Sequence, residues 1–148
     1  MEIERKYLIK ELPLNLSEYS YHKIEQGYLC TSPVIRIRRQ DNDYYLTYKS
    51  GGLMVREEYN LPLTKEANES LRPKIEGILI SKTRYLIPLD EKHTIELDIF
   101  DGEYKGLYLA DVEFQTEEDA NAFEKPEWFG EDVTFSSLYH NSNMSKKA

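Results

Sequence analysis

The sequence predicts a mainly β, α+β protein: an eight-stranded antiparallel closed barrel with a few covering helices. Three observations carry this expectation. Eight short segments alternate in side-chain character with period 2, as half-buried strands do. Turn-forming clusters of Gly, Pro, Asn, Asp and Ser punctuate them at close intervals. Tyrosine, a strand-favouring residue, occurs 12 times in 148 residues. Short strands so spaced suit a barrel in which one face of every strand lines a lumen. The length fits a single domain over residues 1–148 with a substantial core.

The strands are expected at 2–9, 23–30, 34–40, 44–49, 54–61, 79–88, 94–100 and 107–115. Thr31-Ser32-Pro33, Asp41-Asn42-Asp43, Ser50-Gly51-Gly52, the stretch from Pro88 to Lys92, and Asp101-Gly102 separate them. Thr64 caps a helix running toward Ile75, with Ala67, Leu71 and Ile75 on one face and Pro73 ending it early. Thr116-Glu117-Glu118-Asp119 resembles a capping box, and Pro126 stops the helix it starts. A short last helix is expected to begin near Ser136, and Lys146-Lys147 to be solvated.

A net charge of −8 argues against a general nucleic-acid binder. Any anion site must be a local basic cluster in an acidic molecule. The single cysteine, Cys30, rules out an internal disulfide and fits a reducing compartment. The opening M-E-I-E-R-K lacks an apolar leader region, and no stretch approaches transmembrane length. The expectation is a cytoplasmic protein that binds neither nucleic acid nor membrane; a homodimer is compatible with it.

Sorting each strand by parity locates the chemistry. Glu2, Glu4 and Lys6 share a face of the first strand. Adjacent carboxylates repel, yet their oxygens suit Mg²⁺ or Mn²⁺, and the lysine suggests a cation shared with an anion. Arg36 and Arg38 share a face opposite Arg39; Lys49 lies on one face with Tyr45 and Thr47; Arg56 and Glu58 oppose Val55. Lys82 pairs with Arg84, Glu96 with Asp98, and Asp111 with Glu113. Ordinarily an antiparallel sheet turns its apolar face to the core and its charges to water. Here the charges are segregated by sign, and helices are available to cover the apolar face. A charged lumen is tolerable if it is wet or holds a charged ligand. Arginines and lysines match phosphate oxygens, and carboxylates need a bridging cation to tolerate the same ligand. The constellation asks for a metal-bound oligophosphate.

The ordered segments E-x-E-x-K at Glu2, Glu4 and Lys6, Q-G-Y-L at 26–29, R-I-R-R at 36–39, L-T-Y-K at 46–49, V-R-E-E-Y at 55–59, K-T-R-Y at 82–85, I-E-L-D at 95–98 and D-V-E-F at 111–114 resemble the CYTH superfamily, the triphosphate tunnel metalloenzymes. The ending Y-H-N-S-N-M at 139–144 resembles that of small bacterial members. The resemblance implies an eight-stranded tunnel for a linear triphosphate. It implies that Glu2, Glu4 and Glu113 hold Mg²⁺ or Mn²⁺. Glu58, Asp98 and Asp111 become supporting carboxylates, for a second metal or for orienting the basic residues. Lys6, Arg36, Arg38, Lys49, Lys82 and Arg84 clamp phosphates, and Arg56 joins this set. The family often has Glu-x-Glu where this chain has Asp111, and the shorter side chain would reach a metal only through water.

The expected activity is metal-dependent hydrolysis of inorganic triphosphate or short polyphosphate, with Lys6, Tyr28 and Lys82 as candidate catalytic groups. Tyr28 shares parity with Gln26 and Cys30; a structural tyrosine is an equal alternative. Class IV adenylate cyclase, thiamine triphosphatase and nucleoside triphosphatase remain alternatives on the same scaffold, as does a non-catalytic polyphosphate-binding module. Trp128 reads as a packing residue, and Tyr44, Tyr45 and Tyr48 as an unspecific platform. His22, His93 and His140 lack zinc-ligand spacing, and Ser50-Gly51-Gly52 is a turn, not a P-loop.

Overall fold

The computed structural model describes residues 1–146. One sheet dominates it. Its strands are β1 (Glu2–Leu8), β2 (Tyr21–Thr31), β3 (Val34–Gln40), β4 (Asp43–Lys49), β5 (Val55–Arg56), β6 (Glu58–Leu63), β7 (Glu76–Pro88), β8 (Thr94–Phe100) and β9 (Tyr108–Glu113). All pairings are antiparallel, in the order β5-β1-β9-β8-β7-β2-β3-β4-β6.

The two terminal strands of that order are pieces of one chain run, parted only at Glu57. β5 pairs with β1, with Glu2 opposite Arg56, while β6 pairs with β4, with Lys49 opposite Glu58. At the changeover Ser50 serves Glu57 twice: its amide donates to the Glu57 carbonyl at 3.0 Å, and its hydroxyl accepts the Glu57 amide at 2.9 Å. The run thus carries the sheet back onto its first strand. Counted as one interrupted strand, it completes the eight that the sequence predicts; counted by hydrogen bonding, there are nine.

The helices lie where their caps predict. Thr64 accepts the Ala67 amide at 3.0 Å and starts α1 (Lys65–Leu71), which gives way to a 3₁₀ turn at Arg72–Lys74 around Pro73. Thr116 accepts the Asp119 amide at 3.0 Å and starts α2 (Glu117–Ala122). α2 stops before Pro126 because Phe123 is already extended. Ser136 precedes a 3₁₀ turn, Ser137–Tyr139, that leads into α3 (Asn141–Met144). Lys146 is exposed; Lys147 lies outside the described residues. Among the described residues no helix is long and apolar enough to cross a membrane.

Alternation sends the apolar residues of β1, β8 and β9 outward. Ile3, Tyr7, Ile95, Leu97, Ala110 and Val112 form a buried cluster on the outside of the barrel, covered by Leu12, Leu16, Ala120, Phe123, Trp128 and Phe129. Each Ile, Leu, Val or Phe among them contributes about 1.5–3 kcal/mol on removal from water. Arg5 on the same outer face donates to the Ala120 carbonyl at 2.8 Å and pairs with Asp132 at 2.6 Å, pinning the end of α2 to β1. A second cluster, with Ile80, Phe100 and Leu109 from the inward rows and Val133 and Met144 from the C-terminal segment, floors one end of the lumen. Gly77 permits that segment to dock. Its φ is +70°, and a Cβ there would lie 1.9 Å from the Ser145 carbonyl oxygen, which instead accepts the Ile78 amide at 2.8 Å.

Candidate active site

The inward rows of the strands enclose a cavity of about 270 Å³, near the lower edge of small-molecule sites. Its wall carries Glu2, Glu4 and Lys6 from β1, Gln26 and Tyr28 from β2, Arg36 and Arg38 from β3 and Lys49 from β4. Arg56 comes from β5, Glu58 from β6, Lys82 and Arg84 from β7, Glu96 from β8, and Asp111 and Glu113 from β9. The fold therefore brings together every sequence-selected site residue but one.

The exception is Asp98, which stands behind the wall, fully buried. Arg84 grips it through Nε at 2.7 Å and a terminal nitrogen at 2.9 Å, and Lys82 Nζ reaches it at 2.8 Å. Of the two roles considered for it, this geometry matches orienting cations rather than ligating metal. Cys30 also departs from its expected parity with Tyr28. β2 bulges between these two residues, which places Cys30 opposite Ile35.

The wall is electrically divided. On the acidic side, Glu4 and Glu113 are directly opposed across β1 and β9, a repulsive pairing in the absence of a cation. Burial, then the charge of Glu4, pushes the Glu2 carboxyl up to about 8, against the pull of Lys49. Burial opposes ionisation of Glu58, but its hydrogen bond with Glu2 and the Lys49 charge hold it down to about 2. Lys49 Nζ lies 3.1 Å from Glu2 and 3.3 Å from Glu58. Lys6 Nζ holds Asp111 at 2.6 Å, both groups buried.

On the basic side, Arg36, Arg38, Lys82 and Arg84 crowd together. Arg36 donates to Thr47 Oγ1 at 3.1 Å, while its buried Nε has no partner among the described residues. Arg38 rests only on a neutral acceptor, Gln26 Oε1, at 2.7 and 3.0 Å. Burial, then Arg36 and Arg84, lower its pKa to about 9. Burial likewise brings Lys82 down to about 7; Arg84 and Arg38 add to this, and Asp98 only partly opposes it. Such a cluster is short of negative charge, and a polyanion supplies it.

Among the described residues no three His, Cys, Asp or Glu side chains converge into a ready metal cage. Mg²⁺ does not require one, since it commonly takes one or two carboxylates, waters and substrate phosphates. The hard oxygens of Glu2, Glu4 and Glu113, with the Glu2 carboxyl pushed up by burial and by the Glu4 charge, fit a divalent cation brought in with phosphate.

Sequence reasoning did not single out Gln26, Glu96 or Asn141 for the site. Parity places Gln26 with Tyr28 and Glu96 with Asp98, so both carried a usable signal. Asn141 had no parity signal, only its place in the Y-H-N-S-N-M ending, because it enters the wall from α3, far along the chain from any strand. His22 and His140, weighed only as zinc ligands, also line the lumen.

The CYTH domain model matches residues 1–148 of the chain. An inorganic triphosphatase of Nitrosomonas europaea is 40% identical over 147 residues, spanning 97% of this chain and 96% of that protein. An inorganic triphosphatase of Acetivibrio thermocellus is 36% identical over 152 residues, with coverages of 98% and 93%. A crystal structure of an inorganic triphosphatase superposes with a TM-score of 0.75 at 36% identity, covering 100% of this chain and 96% of the other. A putative adenylyl cyclase from Hippeastrum shares the fold, with a TM-score of 0.62, 18% identity and coverages of 82% and 83%.

Proposed function

This chain belongs to the CYTH domain family, and we propose that its lumen hydrolyses inorganic triphosphate, or a short linear polyphosphate, to phosphate and pyrophosphate with Mg²⁺ or Mn²⁺. The observation that carries the reading is the divided wall: among the described residues Arg36 Nε has no partner and Arg38 Nε and a terminal nitrogen meet only a neutral one, while Glu4 and Glu113 oppose each other on the acidic side. A linear phosphate with its cation satisfies both sides at once.

Glu2, Glu4 and Glu113 would hold the cation, with Glu58 and Asp111 beside them. When bound, it neutralises phosphate oxygens and lowers the pKa of a coordinated water. Arg36, Arg38 and Arg84 take the equatorial oxygens and stabilise charge developing on the leaving phosphate. Lys6 and Lys49 stand among the carboxylates and bridge them to the phosphate chain. Lys82 and Tyr28 direct donors at the same stretch of lumen, and a Lys82 pKa of about 7 suits proton transfer to a leaving oxygen at neutral pH.

Nothing on the wall reads a nucleoside or thiamine. Tyr28 is its only Phe, Tyr or Trp among the described residues. Tyr44 and Tyr45 border a separate surface hollow with Arg39, and Trp128 packs edge-on against Phe129 outside the barrel. The test is phosphate release from triphosphate, pyrophosphate, ATP and thiamine triphosphate, each with Mg²⁺, Mn²⁺ and chelator. The expected kcat/KM is far higher for triphosphate than for ATP, and poor for pyrophosphate, which is too short to span both sides. ATP cleavage or cyclisation matching triphosphate would replace this reading with a nucleotide enzyme. Metal-independent binding without turnover would replace it with a binding module.

A further inference from the structure

A chain of four side chains crosses the basic side of the lumen, and its ends decide its polarity. Arg38 only donates, so the group facing it, at 2.7 and 3.0 Å, is Gln26 Oε1. Gln26 must then present its nitrogen elsewhere. That nitrogen donates to Asn141 Oδ1 at 2.9 Å and to the Tyr28 hydroxyl at 3.2 Å. At the far end Lys82 Nζ, again only a donor, reaches the same Asn141 Oδ1 at 2.9 Å. The two amide orientations follow from the cations that bracket them, with no freedom left. All four groups border the lumen, and Gln26 is 1% exposed.

The polarity has a consequence for Tyr28. Because its oxygen accepts from Gln26, its own hydrogen points elsewhere, and the lumen is where a phosphate oxygen would take it. Had Gln26 been flipped, the phenol would donate to the glutamine and offer the lumen a lone pair, which a phosphate repels.

We propose that Gln26 is a positioning residue for the reaction, an amide that, braced by Asn141 from α3, holds Arg38 in place and turns the Tyr28 hydroxyl outward as a donor. The proposal rests on the phosphate-hydrolysis reading. Glutamine suits the position where glutamate would not. It supplies the acceptor that Arg38 needs without neutralising the cation that the substrate is to meet, and it supplies the two donors that Tyr28 and Asn141 need. Asn141 likewise accepts from Lys82 without adding charge.

The test is a double-mutant cycle between Gln26→Met, which keeps the volume and removes every hydrogen bond, and Tyr28→Phe, which removes only the hydroxyl. Triphosphate turnover and, separately, triphosphate affinity by calorimetry are measured for the four proteins. Each single change is expected to lower kcat/KM by about ten-fold or more, and the double variant to fall by much less than the product, because the hydroxyl is useful only when Gln26 directs it. Independent, multiplying losses would overturn the proposal, as would full activity of Gln26→Met. If Gln26→Met does not fold, Asn141→Ala breaks the relay from its other end, and the same cycle is run with it. Affinity distinguishes the failures: binding without turnover in the wild type sinks hydrolysis but leaves the cycle readable in Kd. No binding at all sinks both.

Discussion

Glu4 and Glu113 confront each other across two strands, an arrangement that a fold kept only for stability would not select. If a divalent cation shared with substrate is the reason, Glu4→Gln should lose about 10²-fold or more in kcat. It should also lower thermal stability without metal, because burial opposes the Glu4 charge but Lys49 and Lys6 still hold its carboxyl below the usual range. Full activity of Glu4→Gln would sink the assignment of Glu4 to the cation. The neighbouring arginines offer a sharper contrast. Arg38 meets the lumen, whereas Arg39 is exposed and donates from Nε to its own turn, at the Asp41 carbonyl, at 2.9 Å. Arg38→Ala should cripple turnover and Arg39→Ala leave kcat/KM within about two-fold, as for a surface ion with no buried partner. Period-2 alternation made this pair legible from sequence alone. It could not show that Asp98, opposite Arg84 on the neighbouring strand, is shut off from the lumen, because parity gives the face of a residue and not its depth.

At the scale of elements, strand and cap signals were read closely from the sequence, and the misses have local causes. The Tyr28–Cys30 bulge shifts parity by inserting one residue, which no alternation count detects. The run 54–61 reads as one strand because its pattern is unbroken at Glu57, where only the hydrogen-bonding partner changes. α2 is fastened by a clasp that the sequence does not announce. His93, in the turn between β7 and β8, engages Asp90 through Nδ1 and Asp119 of α2 through Nε2, each at 3.0 Å. The bond to Asp90, and secondarily that to Asp119, raises the pKa of His93 above its usual value of 6.5, against burial. A raised folded-state pKa contributes stability that is fully present below the unfolded value and is lost as pH rises through the folded one. The melting-temperature gap between wild type and His93→Gln should therefore be wider at pH 5.5 than at pH 9. An equal gap at both would mean that the ring acts only by packing on Phe114 and Phe123.

At the scale of the whole molecule, the closure of the barrel is uneven. β2 and β7 pair from Tyr21–Tyr85 to Tyr28–Glu76, in one register as far as Gln26–Ile80 and with a single shift beyond it. The seam between β1 and β5 has two paired positions, Glu2–Arg56 and Ile3–Val55, with one further bond from the Glu4 amide to the Met54 carbonyl at 3.1 Å. A cylinder stitched so lightly along one line should breathe there first, as a local opening far below the global unfolding free energy. Amide exchange at Glu4 and Glu57 should be fast, and at Leu97 and Val112 slow. The seam also runs beneath Glu2, Lys49, Arg56 and Glu58, whose charges face the lumen from both of its banks. A phosphate chain and its cation touching both banks would act as a rivet, and protection at Glu4 and Glu57 should rise on binding more than protection anywhere on β7. The same occupancy that readies the molecule for chemistry would then decide how long the cylinder stays shut, so that each turnover is also a cycle of fastening and release along one seam.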